Sequence, residues 1–288
     1  MMGAAAAATD RTAAMVPSAP SRSWRLWWQP ARVVNGSPVA FRVTAPGPLE
    51  SLSGKWLDHD IYFFFDLKTR TWNGLGGVAL STRPGVYPLE LTGTTKQHKE
   101  VSYQRAVRVR AGKYRSILLE VAAKYTAPSP EQQEVIKRDR EIKQEAFARV
   151  TPEREWRGSF RLPLRAPISD SFGTTRTFNG EVKSVHEGLD FGATAGSPVA
   201  ALNAGTVLLA RPLYFEGNCV VLDHGQGLLT LYLHLSEFKV KEGDAVKRGQ
   251  EIGLVGGTGR ATGPHLHVAV RWQGIYLDPD TLLKLKLP

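Results

Sequence analysis

Period-two alternation and short, densely apolar runs dominate this chain, and both are signatures of β-strands. From about residue 28 to 122, PVAFRVTA, IYFFFDL, GVYPLELTG and AVRVRAG are separated at short intervals by Gly, Pro and Asn turns. That spacing predicts a small β-sandwich, immunoglobulin-like in architecture. The segment 126–156 changes character and predicts a helical linker. Ser129 or Pro130 can start a helix there, and Val135, Ile136, Ile142, Ala146 and Phe147 form a thin apolar stripe among charges. So narrow a stripe fits a mostly exposed connecting helix. After Trp156, VAALNAGTVLLA, NCVVLDHG, LLTLYLHL, EIGLVG and HLHVAVRW return to strands between Gly-containing turns. Residues 157–288 are therefore expected to form an antiparallel β-sheet or barrel-sandwich. The fold class is mostly β, and 288 residues suffice for two cores.

The same alternation singles out polar residues. In TGPHLHVAV, Leu266, Val268 and Val270 share one strand face and belong to a core, so His265, His267 and Ala269 point the other way. In SVHEGLDFG, His186, Gly188 and Asp190 share a face, and Gly188 adds no bulk between its neighbours. A His and an Asp four residues apart, joined by a distant His-x-His, supply two imidazoles and a carboxylate to one metal and leave another imidazole beside it. Three protein ligands with an open fourth position are the make-up of a catalytic zinc site. In LLTLYLHLSEF, Leu229, Leu231 and Leu233 alternate with Thr230, Tyr232 and His234, which assigns His234 to a functional face with Tyr232 next to it.

Composition narrows the setting. The chain is 42% hydrophobic and 22% charged with a formal net charge of +10, so it is drawn to polyanions. No zinc-finger, ribonucleoprotein or Walker motif supports a nucleic-acid partner. An anionic bacterial envelope suits the metal site better. No stretch approaches the ~20 apolar residues of a membrane span. Residues 1–25 are rich in alanine, but Asp10 and Arg11 interrupt the run before it reaches signal-peptide length. That segment is expected to be disordered, and an export signal is not clear in it. Cys219, the single cysteine, lies in an apolar strand pattern and reads as a buried, inert thiol.

The segments ISDSFG, H-x-x-x-D at 186–190, LYLHLS and GRATGPHLH together resemble the lysostaphin-type (LytM-like) zinc metallopeptidases, which cut cell-wall peptidoglycan peptides. The resemblance covers roughly residues 160–280. It implies one zinc ion per chain held by His186, Asp190 and His267, with His234 and His265 acting on the water and the transition state. It also implies peptidoglycan as the substrate and a periplasmic or extracellular place in the cell envelope. All five positions match, which argues against the inactive, metal-free branch of that family. The other reading of the chain is a non-hydrolytic envelope protein that binds wall material or regulates another hydrolase. By family position the loop carrying Arg176 and Asn179 borders the cleft, where Arg176 either suits a stem-peptide carboxylate or is an ordinary solvated loop residue, and Tyr232, sharing a face with His234, is expected to line the groove. The β-rich first half is expected to be a packing or positioning module, with a substrate- or partner-binding role or a cover over that cleft as the alternatives. His224, in Asp-His-Gly-Gln-Gly, reads as turn chemistry, and Asp58-His59-Asp60 as a solvated loop or strand edge.

Overall fold

The computed structural model describes residues 23–149, 151–180 and 182–288. Residues 1–22 of the segment expected to be disordered lie outside the described residues, and Arg25 already pairs with Thr44. Eight strands come first: β1 (Arg25–Gln29), β2 (Val33–Val34), β3 (Pro38–Thr44), β4 (Ser51–Trp56), β5 (His59–Asp66), β6 (Thr71–Gly77), β7 (Gly85–Thr94) and β8 (Glu100–Arg110). They follow the order β1-β3-β6-β5-β4-β7-β8-β2. The path turns on β5, which pairs with β4 through its first half and with β6 through its second. Two leaves result, and their apolar faces meet. Phe41 of β3 packs edge-on against Trp56 of β4, with ring centroids 5.3 Å apart. Ile61, Leu89, Leu91 and Val107 complete an interior closed to solvent.

Next come β9 (Ser116–Leu119) and α1 (Pro130–Ala148), then β10 (Ile168–Asp170), β11 (Thr175–Phe178), β12 (Val182–Val185), β13 (Leu189–Phe191), β14 (Pro198–Ala200), β15 (Gly205–Leu213) and β16 (Gly217–Asp223). The chain closes with β17 (Leu228–Phe238), β18 (Ala245–Val246), β19 (Glu251–Val255), β20 (Leu266–Trp272), β21 (Ile275–Leu277) and α2 (Pro279–Lys284). The second sheet runs β10-β13-β20-β17-β16-β15-β18, with β19 also on β17, β14 on β19 and β21 on β20. The protein is mostly β, as the alternation predicts. β9 does not join the first sandwich: it adds in parallel to β11, which pairs with β12, making a small third sheet.

The second sheet is apolar on both faces, for different reasons. Leu266, Val268, Val270, Tyr232 and Leu235 point into the main core. Leu209, Val221, Leu229, Leu231 and Ala269 form a second patch on the opposite face, and α1 lies on it through Ala146, Ile142 and Phe147. Only the C-terminal half of the helix docks; Val135 is 47% exposed. Ser129 caps the helix reciprocally with Gln132. Asp139 accepts from Tyr214 N at 2.6 Å, and Lys143 pairs with Glu216, so α1 is anchored rather than merely exposed.

No solvent gap separates the two large sheets. Trp156 is wedged between Phe64 of β5 and Phe160, at 5.7 and 6.0 Å between centroids. Gly77 lies so close to the second sheet that a Cβ there would come within 2.8 Å of Leu277. The main cluster of buried apolar side chains accordingly runs through both sheets. Among the described residues, no helix is long and apolar enough to cross a membrane.

Candidate metal centre

Register brings the first three candidates together. Asp190 on β13 pairs with His267 on β20, and His186 lies in the turn that leads from β12 into β13. His186 Nε2 is 3.0 Å from Asp190 Oδ1 and 3.0 Å from His267 Nδ1, and His267 Nδ1 is 2.8 Å from the same Oδ1. Among the described residues this is the one His/Cys/Asp/Glu group whose ligand atoms converge on a metal-sized site. Gly188 makes the convergence possible. A Cβ there would stand 2.4 Å from His267 Nε2 and 2.6 Å from Val268 O.

The donor set fits a cation. His186 Nδ1 donates to Ser171 O at 2.9 Å, so its Nε2 turns a lone pair toward the Asp190 carboxylate. Two acceptors held 3.0 Å apart call for a positive charge between them. The triangle of 2.8–3.0 Å edges is close to the ~3.3 Å edge of a tetrahedron built on ~2.0 Å bonds. Burial opposes ionisation of Asp190, but the hydrogen bonds and charge that His186 and His267 offer when protonated, with no ion bound, outweigh it and hold the carboxyl well below the usual range. For His267, burial pushes the imidazole down, against the pull of Asp190. An ionised carboxylate and a neutral imidazole are the ligand forms zinc takes.

Asp170, at the end of β10, supports this triangle, and the sequence reading passed over it inside ISDSFG. Its Oδ2 lies 3.3 Å from His186 Nδ1, and it accepts from Thr174 Oγ1 at 2.9 Å and from Arg115 Nη2 at 2.9 Å. Burial raises its pKa, while hydrogen bonds from Arg176 and Thr174 carry it below the ordinary value. Arg176 borders the cleft. Its Nε donates to Asp170 Oδ2 at 2.9 Å and its Nη2 to Asp190 Oδ2, so these donors steady the ligand carboxylate rather than reach into open groove.

His234 and His265 stand beside the triangle, their rings 4.8 Å apart, with His234 6.1 Å from the His267 ring. His265 Nδ1 donates to Gly263 O at 2.9 Å and His234 Nδ1 to Thr258 O at 2.8 Å, leaving both Nε2 atoms free. Burial drives the His234 imidazole down to about 3, reinforced by the His267 and His265 rings.

Alternation in β17 does not put His234 there, and this corrects the sequence reading. Thr230 and Tyr232 face the core, whereas Leu229 and Leu231 face α1. Between the pairs Asn218↔Leu235 and Val220↔Tyr232, Leu233 and His234 together oppose Cys219. This bulge, with His234 in the left-handed region at φ 64°, turns the imidazole to the ligand face. Tyr232 stays behind: it is 0% exposed, and its hydroxyl accepts from Leu202 N at 2.8 Å. It is not a groove residue. Nor is Asn179, whose amide accepts from Val121 N at 2.9 Å and donates to Val121 O at 3.0 Å, tying the linker to β11. His224 is buried between Ala204 O and Thr230 Oγ1, a structural residue as expected. His59 stacks near Trp272, with ring centroids 5.1 Å apart.

Two cavities flank the triangle. One, of about 330 Å³, is bordered by Ser169, Asp190, Thr262 and His265, with Ile117 and Leu119 of β9 on its far wall. The other, of about 170 Å³, is bordered by Glu187, Glu216, Leu233, His234 and Tyr276.

Known proteins are similar to this chain. Residues 184–279 match the family model described as Peptidase family M23. The peptidoglycan DD-endopeptidase ShyA of Vibrio cholerae is 40% identical over 147 residues, which are 50% of this chain and 31% of that protein. The DD-carboxypeptidase/endopeptidase Mpg of Neisseria meningitidis serogroup B is 43% identical over 95 residues, 33% of this chain and 22% of that protein. The chain thus spans under a third of the length of these curated relatives. A Pseudomonas aeruginosa crystal structure assigned to peptidase M23 is similar over both large sheets, with a TM-score of 0.66 and 28% identity, covering 88% of this chain and 95% of that one. Residues 184–279 are therefore a peptidase M23 domain, and the chain is homologous in part to the peptidoglycan DD-endopeptidases ShyA and ShyC of Vibrio cholerae.

Proposed function

We propose that this chain is a zinc-dependent endopeptidase that hydrolyses stem or cross-link peptides of bacterial peptidoglycan. The observation that carries this reading is the closed triangle of His186 Nε2, Asp190 Oδ1 and His267 Nδ1 with two further imidazoles at its edge. These three residues would hold the ion, which when bound supplies a Lewis acid and lowers the pKa of a coordinated water toward ~7. His234 and His265 are each pinned through Nδ1 to a backbone carbonyl, so their free Nε2 atoms keep one orientation. One accepts the proton of the attacking water at Nε2, and the other, when protonated at Nε2 as well, donates a hydrogen bond to the oxyanion that forms on the substrate carbonyl. The proton then passes to the leaving amine. Asp170 and Arg176 position the ligands.

The relatives named peptidoglycan DD-endopeptidases support the substrate class, and a cell-envelope location follows from it. The same reading divides the chain at 28–122, 126–156 and 157–288. Strand order supports the immunoglobulin-like reading of the first unit. With β2 taken as a split part of the first strand, its leaves run A-B-E-D and C-F-G.

Incubation of the purified protein with isolated sacculi, with and without chelator, tests the activity. Soluble muropeptides are expected from the zinc-loaded protein alone, and their absence sinks the proposal. His267→Ala is expected to lose zinc, whereas His234→Ala keeps it and loses turnover. Equal zinc in the parent and His267→Ala would overturn the ligand assignment.

A further inference from the structure

Arg260 takes no part in the arrangement described so far, and its surroundings are unusual for a guanidinium. It lies in the loop before His265, largely buried, with Cζ 4.7 Å from the Phe178 ring and 4.8 Å from the Phe215 ring. Phe178 belongs to β11 and Phe215 to the turn between β15 and β16, so the guanidinium spans the cleft from one wall to the other. Arg176 and Arg260 are the two residues that border both cavities. Arg176 has carboxylates for its donors, whereas no ion pair or side-chain hydrogen bond engages Arg260 among the described residues. Burying a guanidinium without an anion is costly, and two aromatic faces repay only part of that cost.

The groove is also electrically polarised. Around the triangle, Arg115 and Arg176 bond the carboxylates of Asp170 and Asp190, which the histidines also approach, so those two acids are already engaged. Each cavity is bordered by two acids: on the larger, Asp170 and Asp190 are both bonded to arginines, whereas on the smaller Glu216 is paired with Lys143 and Glu187 has no ion pair among the described residues. An anion entering the groove is therefore drawn to the larger cavity. Ile117, Leu119 and Val121 line its opposite side, so a small apolar side chain fits next to that anion.

We propose that Arg260 is a specificity-determining residue. It receives a free carboxylate of the peptide substrate in the larger cavity, bidentately through its planar fork, with the substrate's neighbouring apolar side chain against the β9 wall. The inference rests on the peptidase reading for its substrate class, but its test does not require cleavage.

The probes are an N-acetylated dialanine dipeptide as the free acid and as the carboxamide, titrated into the full-length protein by NMR, first zinc-loaded and then with the metal chelated. The acid is expected to bind at least tenfold more tightly than the amide in both forms. In Arg260→Met, with folding checked by circular dichroism, the ratio should fall to about one. Arg260→Lys, which keeps charge but not the fork, should give an intermediate ratio. A preference that survives Arg260→Met, that appears only with zinc present, or that is absent from the parent overturns the proposal. If Arg260→Met does not fold, a parent-like ratio in Arg260→Lys does the same. Failure of the sacculus assay with the acid preference intact would count against hydrolysis alone.

Discussion

Gly188→Ala isolates the geometry on which the metal site depends. The new methyl carbon would stand 2.4 Å from His267 Nε2, 2.5 Å from its Cε1 and 2.6 Å from Val268 O. Ordinary van der Waals contact begins at 3.4 Å, so the imidazole must retreat by about 1 Å, and the backbone carbonyl blocks the alternative of shifting the methyl group. Zinc–nitrogen bonds of ~2.0–2.1 Å tolerate deviations of about 0.2 Å. A 1 Å retreat therefore removes His267 from the ligand set. Structural zinc sites with four ligands are worth roughly 10–16 kcal/mol, or about 3 kcal/mol per ligand, so zinc affinity should fall by about two orders of magnitude. Competition against a chromophoric chelator measures this directly. Gly47→Ala is the control, because a Cβ at Gly47 meets nothing within 4 Å. Circular dichroism should remain close to the parent's in both variants. Zinc affinity in Gly188→Ala within threefold of the parent would refute the argument that the missing side chain is what lets His267 reach the metal.

Two further outcomes follow from the packing around the site. A chain beginning near Arg157 lacks β9, whose Ile117 and Leu119 wall the larger cavity, and α1, which covers Leu209, Leu231 and Ala269. Truncation should therefore lower sacculus hydrolysis at least tenfold and promote aggregation; equal or higher activity would mean that the segments before Arg157 are a cover and not a wall. His224 supplies a pH signature, since burial pushes its imidazole down to about 4. The unfolded chain takes up this proton near pH ~6.5, before the folded chain does, so the contribution is whole above that pH and is lost as pH falls toward 4, about 3 kcal/mol in all. Urea melts across this window should show a steeper loss for the parent than for His224→Gln; parallel slopes would contradict the assignment.

The residues alone were enough to predict a mostly β chain and to pick out His186, Asp190, His265 and His267, because those signals are local. Alternation sends Leu266, Val268 and Val270 into the core, so His267 has to face the other way, and Gly188 sits between His186 and Asp190 in the sequence itself. His234 was found for the wrong reason. Its side of β17 is decided by a bulge against Cys219, and the leucines that looked like core face α1 instead. Period-two reasoning fails where the far face of a sheet is covered by a helix, since both faces are then apolar and polarity no longer tells inside from outside. Tyr232 and Asn179 were misread for a related reason: their partners, Leu202 and Val121, are distant in the chain. Asp170, Arg176 and Arg260 acquire their roles only when loops far apart in sequence close around one cleft, since long-range pairing of charges and rings leaves no periodic trace. Local pattern in the sequence was enough to single out the imidazoles and carboxylate proposed to hold a metal, because strand parity is a short-range property; the side chains that surround them come together only through long-range packing.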